Sequence, residues 1–282
     1  MERRRRLREL LESDPPVFAP VCLDPLTART LEGLGYGAAY LSGGALGFQL
    51  AVSEALLTEM AEAARRITAR SSIALIVDGG VGFGDAVHAS RAVAEIEATG
   101  AAAIELEDQV APKRAHHHKG VEHLVSLETM VGKLEAAVAA RRDPDFLIIA
   151  RTGAVRNESY EAAVERGRAY RAAGADLVML RPETAEQWRD AVTAIDAPLA
   201  AMASFGSRTR AEWEGLGWPL VIDPFTGQVA GWLAAREAAR HFLEEGTSGE
   251  DEAAIGAGYE AIKQAAGMDA LYAIEERTTE RG

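Results

Sequence analysis

Positions 104 to 120 read Ile-Glu-Leu-Glu-Asp-Gln-Val-Ala-Pro-Lys-Arg-Ala-His-His-His-Lys-Gly. An apolar run ends here in two acids, Glu107 and Asp108. The loop that follows carries Lys113, Arg114 and the consecutive histidines His116, His117 and His118. A carboxylate at the end of a buried strand needs a cation or a set of donors, because burying it unpaired is costly. Asp78 ends the preceding apolar run, so Asp78, Glu107 and Asp108 are the candidate ligands for a hard cation. Mg²⁺ suits them, since it takes one or two carboxylates and keeps several waters. The competing account is that these acids bond loop amides or pair with Lys113 and Arg114. Arg151 closes another apolar run, where a guanidinium can grip a carboxylate through two parallel hydrogen bonds or form a structural ion pair with Glu107 or Glu183. Ser42-Gly43-Gly44 offers a hydroxyl and closely approachable amides. Together with Arg151 and Glu183 it makes the candidate substrate-binding set.

A segment rich in bases beside such acids has the makeup of a lid over an active site, here spanning about 112–123. One of its histidines can serve as acid or base near neutral pH, although three neighbours in a loop cannot all face one site. His116, His117 and Lys113 are the candidates, with Arg151, for catalysis. No paired ligand spacing indicates zinc. Cys22, the only cysteine, reads as a buried apolar filler. Trp213, Trp218 and Trp232 read as packing residues.

The elements that must position these groups follow from periodicity. Apolar runs at 17–23, 38–41, 73–77, 101–106, 146–150, 177–180, 198–202 and 220–222 alternate with helical patterns at 53–70, 86–99, 127–142, 158–173, 185–195 and 229–245. Strands buried on both faces read as such continuous apolar runs. Gly35, Gly100, Gly174 and Gly246 stand where helices would end. Eight β–α units in one chain predict a (β/α)8 TIM barrel over 1–246, with a doubly wound open sheet as the alternative. Polar residues collect just after the runs, at the strand ends where barrel enzymes build their sites. A further helical pattern at 251–265 falls in a tail, 247–282, that one barrel does not need; packing on a neighbouring subunit would use it.

Composition narrows the partners. The chain has 282 residues, 48% of them hydrophobic, enough for one large core. Its net charge of −13, from 43 acids against 30 Lys and Arg, argues against nucleic acid or an anionic membrane as partner. A few local cations still permit a small anionic substrate. A single cysteine fits a reducing cytoplasm. No apolar run is long enough to span a bilayer. The basic start, Met-Glu-Arg-Arg-Arg-Arg-Leu-Arg-Glu-Leu-Leu, lacks an apolar signal core and reads as an amphipathic helix.

Taken in order and spacing, several of these motifs resemble the isocitrate lyase/phosphoenolpyruvate mutase superfamily. They are Tyr40-Leu41-Ser42-Gly43, Val77-Asp78 followed by Gly82-Phe83-Gly84, Ile104-Glu105-Leu106-Glu107-Asp108-Gln109, Pro112-Lys113-Arg114 and Ala150-Arg151-Thr152. The look is nearest to its 2-methylisocitrate and 2,3-dimethylmalate lyases. The resemblance implies a barrel whose last helix is exchanged between subunits, usually in a tetramer. It also implies Mg²⁺ or Mn²⁺ and chemistry through a metal-stabilised enolate of a small α-oxo acid. Departures stand beside it. The family's Asp-x-Asp is Asp78-Gly79-Gly80, its loop cysteine is Ala115, its Ala-Arg-Thr-Asp is Ala150-Arg151-Thr152-Gly153, and the seventh run ends in Ala201-Met202-Ala203-Ser204. The leading expectation is a C–C lyase of small hydroxy- or oxo-di/tricarboxylates, with His116 or His117 replacing the cysteine. The alternatives are an oxaloacetate-type decarboxylase or C–P bond mutase or hydrolase, and a non-catalytic metabolite-binding barrel.

Overall fold

A computed structural model of the chain describes residues 2–13 and 16–280. Eight parallel strands, β1 (Val17–Pro20), β2 (Ala38–Leu41), β3 (Ala74–Asp78), β4 (Ala103–Glu107), β5 (Leu147–Arg151), β6 (Leu177–Leu180), β7 (Leu199–Met202) and β8 (Leu220–Asp223), form one sheet in the order β1-β8-β7-β6-β5-β4-β3-β2. The sheet nearly closes between β1 and β2. Val21 bridges Tyr40, and the Cys22 amide donates to the Tyr40 carbonyl at 2.8 Å. That single crossing is why the apolar run at 17–23 yields a strand of only four residues. The doubly wound alternative is thereby excluded, and the (β/α)8 barrel is the fold.

Successive strand residues face opposite sides. Ala19, Tyr40, Ile76, Ala103, Ile149, Met179, Ala200 and Ile222 therefore fill the barrel interior. Leu41, Val77, Ile104, Leu106, Ile148 and Ala150 pack outward against the helices. Side-chain caps start those helices where the sequence offers them. Asp85 caps Ala86–Ala98, Ser126 caps Leu127–Ala140, Ser159 caps Tyr160–Ala172, and Thr184 forms a capping box with Gln187 on Ala185–Ile195. Gly174 and Gly246 follow their helices with φ of 99° and 75°, a conformation that costs other residues more than glycine.

The basic N-terminal segment forms the helix Glu2–Leu11, whose Leu7 joins the interior cluster; Met1 lies outside the described residues. Its arginines tie it to the N-terminal ends of the strands. Arg4 donates to the Ala101 carbonyl at 2.9 Å and pairs with Asp143 at 2.7 Å, and Arg8 pairs with Asp176 at 3.0 Å. It thus covers the mouth of the barrel opposite the polar strand ends.

After β8 the helix Thr226–Glu245 has no buried residue in this chain, nor do Glu252–Ala266 and Met268–Thr278. The last of these was not separated from the tail by sequence; Gly267, at φ 79°, divides the two. Residues 281–282 of the predicted tail lie outside the described residues. Trp213 and Trp218 pack with Trp188 in the core, as expected, whereas Trp232 is 58% exposed. Among the described residues no helix is long and apolar enough to cross a membrane.

Candidate active site

Asp78, Glu107, Arg151 and Asp223 prove to be the last residues of their strands, so the sheet fixes their directions. The register sets Asp78 beside Glu105 and Glu107 beside Arg151. Glu105 and Glu107, two residues apart, share the inner face. The Tyr40 hydroxyl donates to Glu105 Oε2 at 2.5 Å. The Arg151 guanidinium approaches three carboxylates, those of Glu105, Glu107 and Glu122, each at 3.5 Å. Glu107 Oε2 also accepts from Gln109 Nε2 at 2.8 Å, while Oε1 has the Lys113 ammonium against it and no well-directed hydrogen bond.

Electrostatics separates the two inner acids. Burial pushes Glu105 up to about 7, with the neighbouring charges of Asp78 and Glu107 adding to the rise against the pull of Arg151. Burial also acts on Glu107, but the Arg151 and Lys113 cations prevail and hold it down to about 2. Burial would lower Lys113, yet Glu107 and Asp78 raise it, so the ammonium stays charged. A proton-holding acid and an ionised acid thus lie on one strand.

Asp78 accepts the Gly43 and Gly80 amides, each at 2.9 Å. Ser42 caps the short helix Gly43–Gln49, accepting from Ala45 at 3.2 Å. Gly43 lets Asp78 approach closely, since a β-carbon there would lie 3.2 Å from Asp78 Oδ2 and press the carboxylate aside. Glu54 and Lys113 close the far side, leaving among Gly43, Asp78, Gly80, Lys113 and His117 a void of about 10 Å³, near the smallest that holds a water. The donor set fits a hard cation in part. Asp78, Glu107 and Glu54 supply oxygens, and Glu107 Oε1 is a buried acceptor faced by the Lys113 ammonium without a well-directed hydrogen bond. Among the described residues no three acid, histidine or cysteine side chains are assembled as a ready metal cage. Water and substrate would complete the shell, as is usual for Mg²⁺.

Asp108 does not join them. One residue past Glu107, it faces out of the barrel, where it accepts from Gly153 N at 3.0 Å and Tyr170 OH at 2.8 Å and pairs with Arg166 at 3.3 Å. The expectation that it helps to hold the metal is corrected by strand alternation: it braces the turn after Arg151 instead. The histidines also divide. His116 is exposed, and His118 bonds the Ser53 carbonyl at 2.9 Å beside Phe48. His117 is half-buried against the small void, its Nδ1 donating to the Arg114 carbonyl at 2.7 Å. Burial, then the Lys113 charge, lowers its pKa, favouring the neutral ring.

A larger cavity of about 420 Å³ opens from Arg151 towards β6 and β7, with Arg156, Arg181, Glu183, Met179 and Met202 in its walls. Arg151 and Glu183 line this cavity, Gly43 and Gly44 line the small void, and Ser42 lines neither, so the substrate-binding set is divided. Glu122, from the lid, reaches this cavity; Asn157 accepts from its amide at 3.0 Å and donates to its carboxylate at 3.1 Å. Its carboxylate fills the space that a side chain on Gly153 would need. In the same way Glu54 Oε1 lies 3.2 Å from where a β-carbon on Gly80 would sit. At both positions where the family pattern has lost an aspartate, another carboxylate occupies the neighbourhood.

Sequence reasoning missed Tyr40, Glu105, Glu54, Glu122 and Asn157 as site residues. Glu105 was findable, because the i, i+2 spacing from Glu107 in an apolar strand puts both on one face. Glu54 and Glu122 sit in loops whose course no local pattern gives. Cys22 is buried, and burial pushes its thiol up to about 12, which makes it inert, as an apolar filler should be.

Fold and site together define a barrel with an acid, arginine and lysine cluster at the C-terminal mouth, of the kind that handles small carboxylates. The chain belongs to the phosphoenolpyruvate phosphomutase family, whose pattern matches residues 7–243, within the isocitrate lyase/phosphoenolpyruvate mutase superfamily. It is 41% identical to the 2-methylisocitrate lyase of Aeropyrum pernix, over 86% of this chain and 80% of that one. It is 40% identical to the 2,3-dimethylmalate lyase of Eubacterium barkeri, over 78% of each. Among solved structures it superposes on phosphonopyruvate hydrolase in complex with oxalate and Mg²⁺ with a TM-score of 0.87, at 32% identity, covering 99% of this chain and 100% of that one.

Proposed function

We propose that the protein is a Mg²⁺- or Mn²⁺-dependent carbon–carbon lyase that cleaves a small hydroxy- or oxo-di/tricarboxylate and releases an α-oxo acid. The observation that carries this reading is the inner cluster of Asp78, Glu107, Lys113 and Arg151, in a chain about 40% identical to two lyases of such acids. Asp78 and Glu107, with Glu54 beside them, would hold the cation, which when bound supplies positive charge where negative charge develops on the α-oxo acid fragment. The Ser42-Gly43 turn and Arg151 orient that fragment's carboxylate. Lys113, folded inward from the lid, neutralises Glu107 and excludes water. His117, neutral and with Nε2 free of the Arg114 contact, is the group placed to take or return the proton.

The decarboxylase or C–P bond alternative keeps one specific support. The position of the family's loop cysteine is Ala115, and the chain's sole thiol is buried in the barrel wall. Neither can protonate a departing carbon acid, whereas loss of CO₂ or phosphate makes different demands. Incubating the purified protein with Mg²⁺ and a panel of small hydroxy- and oxo-acids decides the matter. Pyruvate or glyoxylate release without CO₂ or phosphate supports the lyase, CO₂ or phosphate release moves the alternative ahead, and no turnover leaves a metabolite-binding barrel.

Assembly belongs to the same reading: a homo-oligomer, a tetramer of helix-swapped dimers. It is supported by the apolar residues of the last three helices, among them Val229, Trp232, Phe242, Ile255, Tyr259 and Tyr272, which nothing in this chain buries. A groove of about 540 Å³ along β1, lined by Leu10, Phe18, Leu34, Tyr36 and Trp213 with Arg208 and Arg210 at its side, offers a partner's helix a partly apolar seat. A reducing cytoplasm suits the single buried cysteine.

A further inference from the structure

The cavity that starts at Arg151 carries two more guanidiniums. Arg156 stands on the one-turn helix Ala154–Asn157 that follows β5, and Arg181 directly follows β6. Arg151 is matched by three acids. Arg156 and Arg181 have no acidic partner among the described residues; both are exposed and both line the cavity. Glu122 and Glu183 are the carboxylates in the same lining, so against three guanidiniums the cavity keeps a net positive charge. Val155, Met179, Leu180, Pro182 and Met202 supply the apolar part of the same lining, beside Glu122 and Thr152. Gly120 of the 112–123 loop lies against the Arg156 guanidinium, so this loop borders the same end of the cavity.

Three guanidiniums against two carboxylates around one cavity with partly apolar walls favour a ligand that carries more than one anionic group. We propose that Arg156 and Arg181 form a distal anion subsite, which receives a second anionic group of the substrate, a carboxylate or a phosphonate, across a short apolar spacer from the α-oxo acid end held near Arg151. This assignment rests on the α-oxo acid reading above and adds what lies at the far end. A guanidinium meeting an anion in fork geometry makes strong charge-assisted hydrogen bonds. Losing one such contact commonly weakens binding by roughly 10- to 100-fold.

The test uses full-length protein with Mg²⁺ and calorimetric affinities. Oxalate probes the α-oxo acid end alone. 2-Oxoglutarate is compared with 2-oxopentanoate, which matches its chain length without the terminal charge, and 3-phosphonopyruvate with 2-oxobutyrate. We expect the wild type to prefer one charged-end probe over its neutral match by about tenfold or more. The pair that shows the preference tells carboxylate from phosphonate. Arg181→Met and Arg156→Met should each cut that preference to about threefold or less while oxalate binds within about threefold of wild type, which also certifies the fold. No oxalate binding by the wild type overturns the α-oxo acid reading and this inference with it. Oxalate binding with no charged-end preference, or a preference that survives both substitutions, overturns the distal subsite alone.

Discussion

Glu105 and Glu107 are the same residue type on one strand face, two positions apart, yet they are driven in opposite directions. Glu105 holds its proton up to about 7, so its stabilising contribution is complete below the unfolded value of 4.5 and is lost as pH rises through 7. Glu107, held down to about 2, contributes above 4.5 and loses that contribution as pH falls through 2. Glu105→Gln should therefore flatten the loss of stability between these limits, an effect of about 3 kcal/mol at most. Urea unfolding of both proteins near pH 5 and pH 8 measures it; a parallel decline in the two would remove Glu105 as its source. Asp78→Ala should weaken Mg²⁺ binding by at least about tenfold, and Glu107→Ala should do so as well, since few acids share the work. Unchanged Mg²⁺ affinity in Asp78→Ala would contradict the ligand assignment. His117→Ala should lower turnover by about 10²-fold, with His116→Ala and His118→Ala near wild type. Because burial lowers His117, the acidic limb of the wild-type profile should have its midpoint below the ordinary histidine value of 6.5, and it should be missing in His117→Ala. The sequence named His116 and His117 together; only the fold of the turn Ala115–Lys119 separates them.

Strands were legible almost to the residue because each is buried on both faces. The runs at 38–41 and 177–180 coincide with β2 and β6, and the helix at 185–195 has the bounds that its pattern implies. The directions of their side chains needed the alternation to be applied within the acid pair. Doing so would have placed Asp108 outside the barrel and Glu105 within it. Loops are different, for their paths depend on contacts far away in sequence. The lid lies folded inward, with Lys113 at Glu107, His118 at the Ser53 carbonyl and Glu122 at Arg151. Two glycines make that position available. Gly120 has φ 78° and lies beneath Arg156, while Gly153 yields its side-chain space to Glu122. Gly120→Ala adds backbone strain of about 1 kcal/mol and Gly153→Ala displaces the Glu122 carboxylate. Each should raise KM and lower kcat/KM by about five- to tenfold, and should speed amide hydrogen exchange over 112–123 in the oxalate–Mg²⁺ complex. Wild-type exchange and kinetics in both variants would show that the inward lid is not the working state.

At the scale of the molecule, the chain builds two unlike halves. The segment from β1 to β8 holds a large buried core and exposes single apolar side chains in its loops and helices, whereas the three helices from Thr226 onward bury none of their residues and leave Trp232 at 58%, Tyr259 at 62% and Phe242 at 62% exposed. Isolated apolar side chains on a surface need no explanation, but a succession of them over three helices marks an interaction face. The sequence disclosed that the tail was surplus to one barrel. It did not disclose that the barrel's own eighth helix shares this exposure, because helical periodicity reports an apolar face and not which chain covers it. The groove beside β1, with Leu10, Phe18, Leu34 and Tyr36 beside Arg208 and Arg210, is open to such a surface. Exchange between two copies, as proposed, would cover both by one symmetric operation. Light scattering on the full-length protein at micromolar concentration should give a tetramer, or a dimer as its stable half. Deleting 247–282 should give monomers or insoluble chain. Trp232→Asp tests the eighth helix without shortening the chain: a charge placed in a covered apolar interface should dissociate the oligomer. A full-length protein that runs as a monomer, or a Trp232→Asp variant that keeps the wild-type mass, would leave the exposed helices without a second copy to cover them and would end the helix-swapped reading.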